Sequence, residues 1–413
     1  MDKVLADVLF TNFDLLDTTA GVTRTGHQVL VAENRIAEVA DGVIQARGVE
    51  TIDLGGRTLM PGMIDCHNHV SNQILPGPPT MLPSLALATQ AEVLRGMLMR
   101  GFTTLRDTGG ADLGHKMAVD QGLITGPRLF VSGRTISQTG GHGDWRTRAE
   151  LADPCACVHL GGGVGRIADG VAEVRRAVRD EIRLGADQVK VMGSGGIASA
   201  ADPIEQLQYS YEELEAAVDE ATRSHKYVCA HVYPDDGIRR CVDAGVRTIE
   251  HGNLLEEETA RRMAAAGAYL VPTLIAFRLL DRFGPEIGYS EEQMEKTQIV
   301  LSAGTRSLEI ARAAGVKTAY GTDIAFWHEY QAEEFLVRAE VLSAAEIIHS
   351  ATVIGAEVVR MEGQLGVIET GALADLLVVD GNPLEDLDVL QDQGAHFAAI
   401  MKNGVFVKND LAA

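Results

Sequence analysis

From Pro61 onward the chain alternates apolar, strand-like runs with helical stretches, and no other feature restricts its possible folds as much. The runs are Ile64–Val70, Thr103–Asp107, Arg128–Ser132, Gln188–Met192, Tyr227–His231, Val246–His251, Ala268–Pro272 and Lys317–Asp323. Helical patterning lies between them over Ser84–Arg100, Val171–Leu184, Tyr211–His225, Asp236–Ala244, Glu256–Ala266 and Glu291–Ala314. Strands separated by helical crossovers pair in parallel. Eight such units predict an α/β fold closed into a (β/α)8 TIM-type barrel. A long glycine-rich loop, Ser137 to Gly170, separates the third run from the helix before the fourth.

The two ends have a different texture. Val8–Phe10, Gln28–Ala32 and Arg35–Val39 near the start, and Leu376–Asp380 and Ala399–Val407 near the finish, read as short strands broken by turns. Either set alone is too small to enclose a good core. The expectation is one small β-sandwich domain assembled from residues 1–60 and 358–413, with the barrel, 61–357, inserted between them.

Composition removes several function classes. A net charge of −22 over 413 residues argues against a nucleic-acid partner, whose binders carry basic patches. The longest apolar run, near Ala264 to Phe277, is interrupted by Gly267 and Pro272 and is too short to span a bilayer. Residues Met1–Asp7 contain no basic segment leading into an apolar one, so no signal peptide is expected. Cys66, Cys155, Cys157, Cys229 and Cys241 are odd in number and lack zinc-ribbon spacing, which suits free thiols in a reducing cytoplasm.

The polar residues in the runs carry the chemistry. In His67-Asn68-His69 the two imidazoles, two residues apart on a strand, project to one side. Two neighbouring imidazoles suit a metal ion, although the pair alone also fits two ordinary polar strand residues. Lys190 lies within the fourth run, His231 ends the fifth, His251 ends the sixth and Asp323 ends the eighth. The C-terminal ends of barrel strands form the face where active sites are built. His67, His69, Lys190, His231, His251 and Asp323 are therefore expected to converge on one mouth. A charged lysine inside an apolar strand is costly. Either its neutral amine takes up carbon dioxide as a carbamate, an anion able to bridge two cations, or it pairs with a carboxylate such as Asp323.

With these motifs, and with Pro61-Gly62 before the histidine pair, Val189-Lys190-Val191-Met192, Glu250-His251-Gly252 and Gly321-Thr322-Asp323, the chain resembles the metal-dependent amidohydrolase superfamily in its binuclear, carboxylated-lysine branch. The resemblance spans nearly the whole chain. Ser137–Asp144, Gly193-Ser194-Gly195-Gly196 and His231-Val232-Tyr233 are similar to substrate loops of its prolidase-like group of Xaa-Pro dipeptidases and acyl-amino-acid carboxypeptidases. That resemblance implies two divalent ions, zinc by preference. His67, His69 and Asp323 would hold the inner ion, His231 and His251 the outer, and carboxylated Lys190 would bridge them with a hydroxide as nucleophile. Asp323 would carry the proton to the leaving nitrogen, and His142 would contact substrate. It also implies a homo-oligomer acting on a small peptide or N-acyl amino acid.

Tyr233, two residues beyond His231, can face the same way and bind a substrate carboxylate, aided by the N–H groups of Gly193–Gly196 and by His142. Phe326, Trp327 and His328, after the eighth run, are candidates to line the pocket; His27, His115, His159, His225, His349 and His396 read as solvent or structural residues. A deaminase would be expected to show His-x-x-Glu at the fifth strand, where this chain has His231-Val232-Tyr233-Pro234. A lactam or imidazolone hydrolase is usually mononuclear, and Lys190 speaks against it; a non-catalytic relative would be expected to lose ligands. An N-aroyl amino acid, such as an ochratoxin-type mycotoxin amide of phenylalanine, is the alternative substrate.

Overall fold

The computed structural model describes residues 7–70, 82–146, 165–199 and 202–411. Seven barrel strands form in order: Met63–Asn68, Phe102–Asp107, Arg128–Val131, Val189–Met192, Val228–Pro234, Thr248–Leu254 and Tyr269–Val271. Neighbouring strands are parallel: Ile64 lies opposite Thr104, Met192 opposite His231, and Glu250 opposite Val271. The third and fourth strands are bridged partly by side chains. Asp187 takes the Val131 N–H on its carboxylate at 3.0 Å, and Gln188 Nε2 donates to the Ser132 hydroxyl, just past the third strand, at 2.9 Å.

The eighth position departs from the expected strand. Residues 317–323 form a single bridge, Leu270 with Thr318, and no continuous ladder. Tyr320 gives its N–H to the Ser350 carbonyl instead of to a strand. Yet the segment still closes the barrel, because Cys66 N–H donates to the Tyr320 carbonyl at 2.8 Å, and Thr322 and Asp323 N–H both donate to the His67 carbonyl at 3.0 and 2.7 Å. The approach is close enough that a Cβ at Gly321 would lie 2.4 Å from Val271 Cγ1 and 2.9 Å from His67 Cβ.

Helices cover the outside. Glu291–Ala314 forms as its patterning predicts, opened by a Ser290/Gln293 capping box and closed by Gly315 in the left-handed region at φ 75°. Leu274–Phe283 is a helix the sequence reading did not include. Outward-facing residues of the strands, such as Val191, Ala230, Val232 and Ile249, pack with Val174, Leu214 and Ala260 of the helices in the largest core. No helix among the described residues is long and apolar enough to cross a membrane.

The chain ends meet. Leu376–Val379 pairs antiparallel with Thr58–Pro61 and with Phe397–Lys402, within a six-stranded sheet that draws on both termini. A second sheet of four strands, all from the first 53 residues, packs against it through Val8, Phe10, Val29 and Val31 on one side and Leu15, Leu59, Val378 and Met401 on the other. The Ser137–Gly170 region holds two short parallel strands, Ile136–Ser137 and Arg166–Ile167, the former also beside Val191.

Candidate active site

Strand alternation delivers the first two imidazoles. His67 and His69 leave the same face, with ring centroids 5.3 Å apart, while Ile64 and Cys66, which precede them on the strand, turn into the outer core. Their Nε2 atoms lie 3.3 and 3.1 Å from one oxygen of Asp323. His67, His69 and Asp323 thus place one ligand atom each within 4.8 Å of one another. His251 stands beside them, its ring 4.9 Å from His67 and 4.6 Å from His231.

Two residues reach the site through left-handed backbone. His251 has φ 70° and Asp323 φ 52°, a region few non-glycine residues occupy and one that clusters at functional sites. At His251 the effect is to break the two-residue alternation. Glu250 points into the barrel, and the next residue serves the same mouth instead of the outer core. Thr273, also left-handed at φ 49°, places its hydroxyl 2.8 Å from His251 Nδ1.

Each imidazole is held by its other nitrogen. His67 Nδ1–H donates to Glu250 at 2.6 Å, His69 Nδ1–H to the Gly109 carbonyl at 2.8 Å, and His231 Nε2–H to the Gly195 carbonyl at 3.3 Å. That leaves His67 Nε2, His69 Nε2 and His231 Nδ1 as lone-pair atoms. Glu250 is itself gripped by both bonds of Arg106 Nη2, at 2.8 Å, and by the Thr248 hydroxyl; Arg106 also donates to the Cys66 carbonyl. Burial would raise the Glu250 carboxyl, but Arg106 and His67 hold it well below the usual range. Asp65, fully buried, accepts from His67 N–H, Asn68, Thr322 and Gln331, tying the first strand to the closing segment.

The electrostatics suit ligands. Burial lowers His231 and His251 well below ordinary histidine, so both are neutral near pH 7. Burial would raise Asp323, but His67, His69 and His251 reverse this and keep it ionised. Lys190 is only 2% exposed, lines the cavity, and makes no hydrogen bond or ion pair among the described residues. The expected alternative, pairing with Asp323, is therefore not formed. His67 Nε2 is fully buried and makes no hydrogen bond. A buried lone pair without a donor, set among nitrogen and carboxylate ligands that are locked from behind, fits a divalent cation.

These groups open into a cavity of about 220 Å³. His142 enters from the loop after the third strand and stacks on His231 with centroids 4.2 Å apart. Its Nδ1 lies 2.6 Å from the Ser199 hydroxyl and 3.4 Å from Asp202. Tyr233 also lines the cavity, its ring 4.8 Å from His231, as alternation requires; the intervening Val232 is in the outer core. Phe277, Leu280 and Tyr289 line the cavity beside Tyr233, whose ring lies 5.9 Å from that of Phe277, and Phe326 and Trp327 also line it. His328 does not; it is buried, and burial lowers its imidazole to about 3. One expectation fails. The N–H groups of Gly193, Gly195 and Gly196 are already given to the His231 carbonyl, the Gln206 carbonyl and Asp202, at 2.7, 2.8 and 3.0 Å, so they cannot receive a substrate carboxylate.

Among the remaining histidines, His115 bonds Asp112 and Gln90 at a helix start and His349 bonds the Thr18 carbonyl, both structural roles. His159, Cys155 and Cys157 lie outside the described residues, and Cys66, Cys229 and Cys241 are buried free thiols. The sequence reading missed Arg106, Glu250, Asp65, Thr273, Arg134 and Tyr289 as members of the site. An arginine inside the apolar run Thr103–Asp107 was the available signal for the first of these.

An ionised carboxylate and a cluster of imidazoles, gathered at the C-terminal mouth of an α/β barrel, define a barrel hydrolase. The chain belongs to the amidohydrolase family, which it matches over residues 58–407. Members of that family generally use divalent metals. It is similar to a crystallised amidohydrolase, with a TM-score of 0.95 and 47% identity over 98% of this chain and 99% of the other. It is equally similar to a prolidase complexed with N-methylphosphonate-L-proline, with a TM-score of 0.94 and 47% identity over 97% and 99% of the two chains. The ochratoxinase of Aspergillus niger is 34% identical over 355 residues, covering 82% of this chain and 73% of its own.

The support behind His67 yields a first expected result. Glu250→Gln keeps the shape but makes the side chain a weaker, ambiguous partner for His67 Nδ1–H and leaves Arg106 without its anion. Metal affinity or turnover should fall roughly 10–100-fold, the usual cost of losing such a support. Metal titration of the apo variant against the parent checks this; unchanged affinity together with unchanged turnover would remove Glu250 from the account.

Proposed function

We propose that this protein cleaves the amide bond of dipeptides or N-acyl amino acids that carry a free C-terminal carboxylate, using two divalent ions, zinc by the nitrogen and carboxylate donor set. The observation that carries the reading is the meeting of His67, His69 and Asp323 beside a buried, unpartnered Lys190 in one cavity. In this reading His67, His69 and Asp323 would hold the inner ion, His231 and His251 the outer, and carboxylated Lys190 would serve both. The ions, when bound, polarise the amide carbonyl and bring water toward hydroxide at neutral pH.

The chain's own groups do the rest. Asp323, ionised and lining the cavity, accepts the proton of the attacking water and delivers it to the departing nitrogen. An amine leaves poorly unless protonated, so one carboxylate serves both halves of the reaction. Tyr233 presents its hydroxyl to the carboxylate of the leaving amino acid, and His142, fixed by Ser199 and Asp202, faces the same end. The wall of Phe326 and Trp327 accepts an apolar acyl group. Similarity to a prolidase supports a dipeptide substrate. That wall, with similarity to an ochratoxinase, supports the second reading, an N-aroyl amino acid such as a mycotoxin amide of phenylalanine. A cyclic amide or imidazolone lacks the carboxylate this site would read.

The reading includes a homo-oligomer in a reducing cytoplasm, in line with the three free thiols, and the division of the chain into a barrel of 61–357 and a β domain of 1–60 with 358–413. A panel of Xaa-Pro dipeptides, N-acetyl and N-benzoyl amino acids and their C-terminal amides, assayed with metal-loaded enzyme, tests it. Acids are expected to be cleaved and amides far more slowly; equal cleavage would point to a general amidase. Tyr233→Phe should raise KM for the acids and leave the amides nearly unchanged, read from steady-state kinetics on matched pairs.

A further inference from the structure

Resting on the two-ion reading above, we propose that Thr273 positions His251 for the outer ion, and that the chain after the seventh strand is bent for that purpose. Three departures from ordinary local structure meet at this residue.

The first is conformation. Thr273 lies in the left-handed region at φ 49° and ψ 45°, where a β-branched residue is an outlier. Such a conformation persists only where the surrounding structure enforces it. The second is capping. Thr273 precedes the helix Leu274–Phe283, and a threonine there ordinarily turns its hydroxyl to a backbone N–H of its own first turn. This one makes no such bond. The Ile275 N–H goes instead to Glu334 at 2.7 Å, a carboxylate 59 residues further on, which Arg338 Nε grips at 2.7 Å. The third is direction. Released from its own helix, the fully buried hydroxyl meets His251 Nδ1 at 2.8 Å.

The consequence reaches Asp323. Its Oδ2 lies 3.9 Å from His251 Nδ1, outside hydrogen-bond reach. By accepting the Nδ1–H, Thr273 leaves Nε2 as the lone-pair atom and keeps the imidazole from turning to that carboxylate. Asp323 thereby stays with His67 and His69, whose Nε2 atoms lie 3.3 and 3.1 Å from its Oδ1. His69 and His231 are held from behind by backbone carbonyls and His67 by Glu250. Thr273 completes the set, since a ligating imidazole is aimed by the partner of its other nitrogen.

The test dialyses the zinc-loaded parent, Thr273→Val, Thr273→Gly and Thr273→Ser against a series of buffered free-zinc concentrations and counts ions per chain by elemental analysis. Valine keeps the shape and removes the hydroxyl. Glycine removes it while accepting φ 49° without strain, which covers a valine variant that does not fold. Serine keeps the hydroxyl. The parent should hold two ions per chain. Thr273→Val and Thr273→Gly should hold one ion as the parent does and the other roughly 10–100-fold more weakly, with Thr273→Ser close to the parent. Saturating zinc should return much of kcat to the valine and glycine variants. Parental affinity for both ions without the hydroxyl, equal weakening of both, a serine variant as weak as valine, or a glycine variant that does not fold overturns the positioning role and leaves the two-ion reading standing. A parent that holds one ion or none removes the two-ion reading and this role with it.

Discussion

Asp323→Asn is expected to lower turnover by roughly 10²–10⁴-fold, the usual worth of a positioned acid–base group, while leaving the fold and much of the metal in place. The carboxamide has nearly the same shape, and its backbone N–H keeps the 2.7 Å bond to the His67 carbonyl that helps close the barrel. What it loses is the charge. In the parent, burial opposes ionisation of Asp323, and His67, His69 and His251 overcome it, so the group is ionised at neutral pH and has an oxygen lone pair to offer a proton. Asparagine can neither take that proton nor return it to the leaving nitrogen. Single-turnover rates on the best acid substrate, with metal content measured on the same sample, separate the two effects. Near-parental rates in a metal-loaded Asp323→Asn would refute the assignment.

Lys190→Ala should cost more, because it is expected to lose metal and activity together. Val189 and Val191 on either side face the outer core, while Lys190, and Met192 two residues on, reach from the strand into the cavity. Its amine finds no partner there, a costly state for a buried lysine unless the group is modified. A carbamate would turn the same side chain into an anion with two oxygens. If so, removing it leaves space that acetate or propionate can enter, and these acids should restore part of the metal binding and turnover. Full metal retention in Lys190→Ala, with no response to added carboxylic acids, would contradict the bridging role.

Where local pattern governs, the sequence was readable. Period-two alternation placed His67 with His69 and His231 with Tyr233, and the structure puts Ala230 and Val232 outside as the same rule demands. Explicit caps set the bounds of Glu291–Ala314. What stayed hidden depends on contacts between distant residues. Arg106 and Glu250 are 144 positions apart, and neither shows from its neighbours that it will meet the other. The left-handed turn at His251 cannot be read from its type, since histidine rarely adopts it. In the Gly193–Gly196 loop, glycine suggested an open anion cradle, but tertiary partners claim its N–H groups. The eighth segment has strand-like composition, yet Ser350 intercepts the Tyr320 N–H and leaves one bridge in place of a ladder.

The account stands most directly on the metal count. Elemental analysis of the protein purified without chelators, reported as divalent ions per chain alongside kcat for the same sample, is the deciding measurement. About two ions per chain are expected, with turnover falling as the second is removed and returning when zinc is restored. A fully active protein holding one ion or none per chain would contradict it.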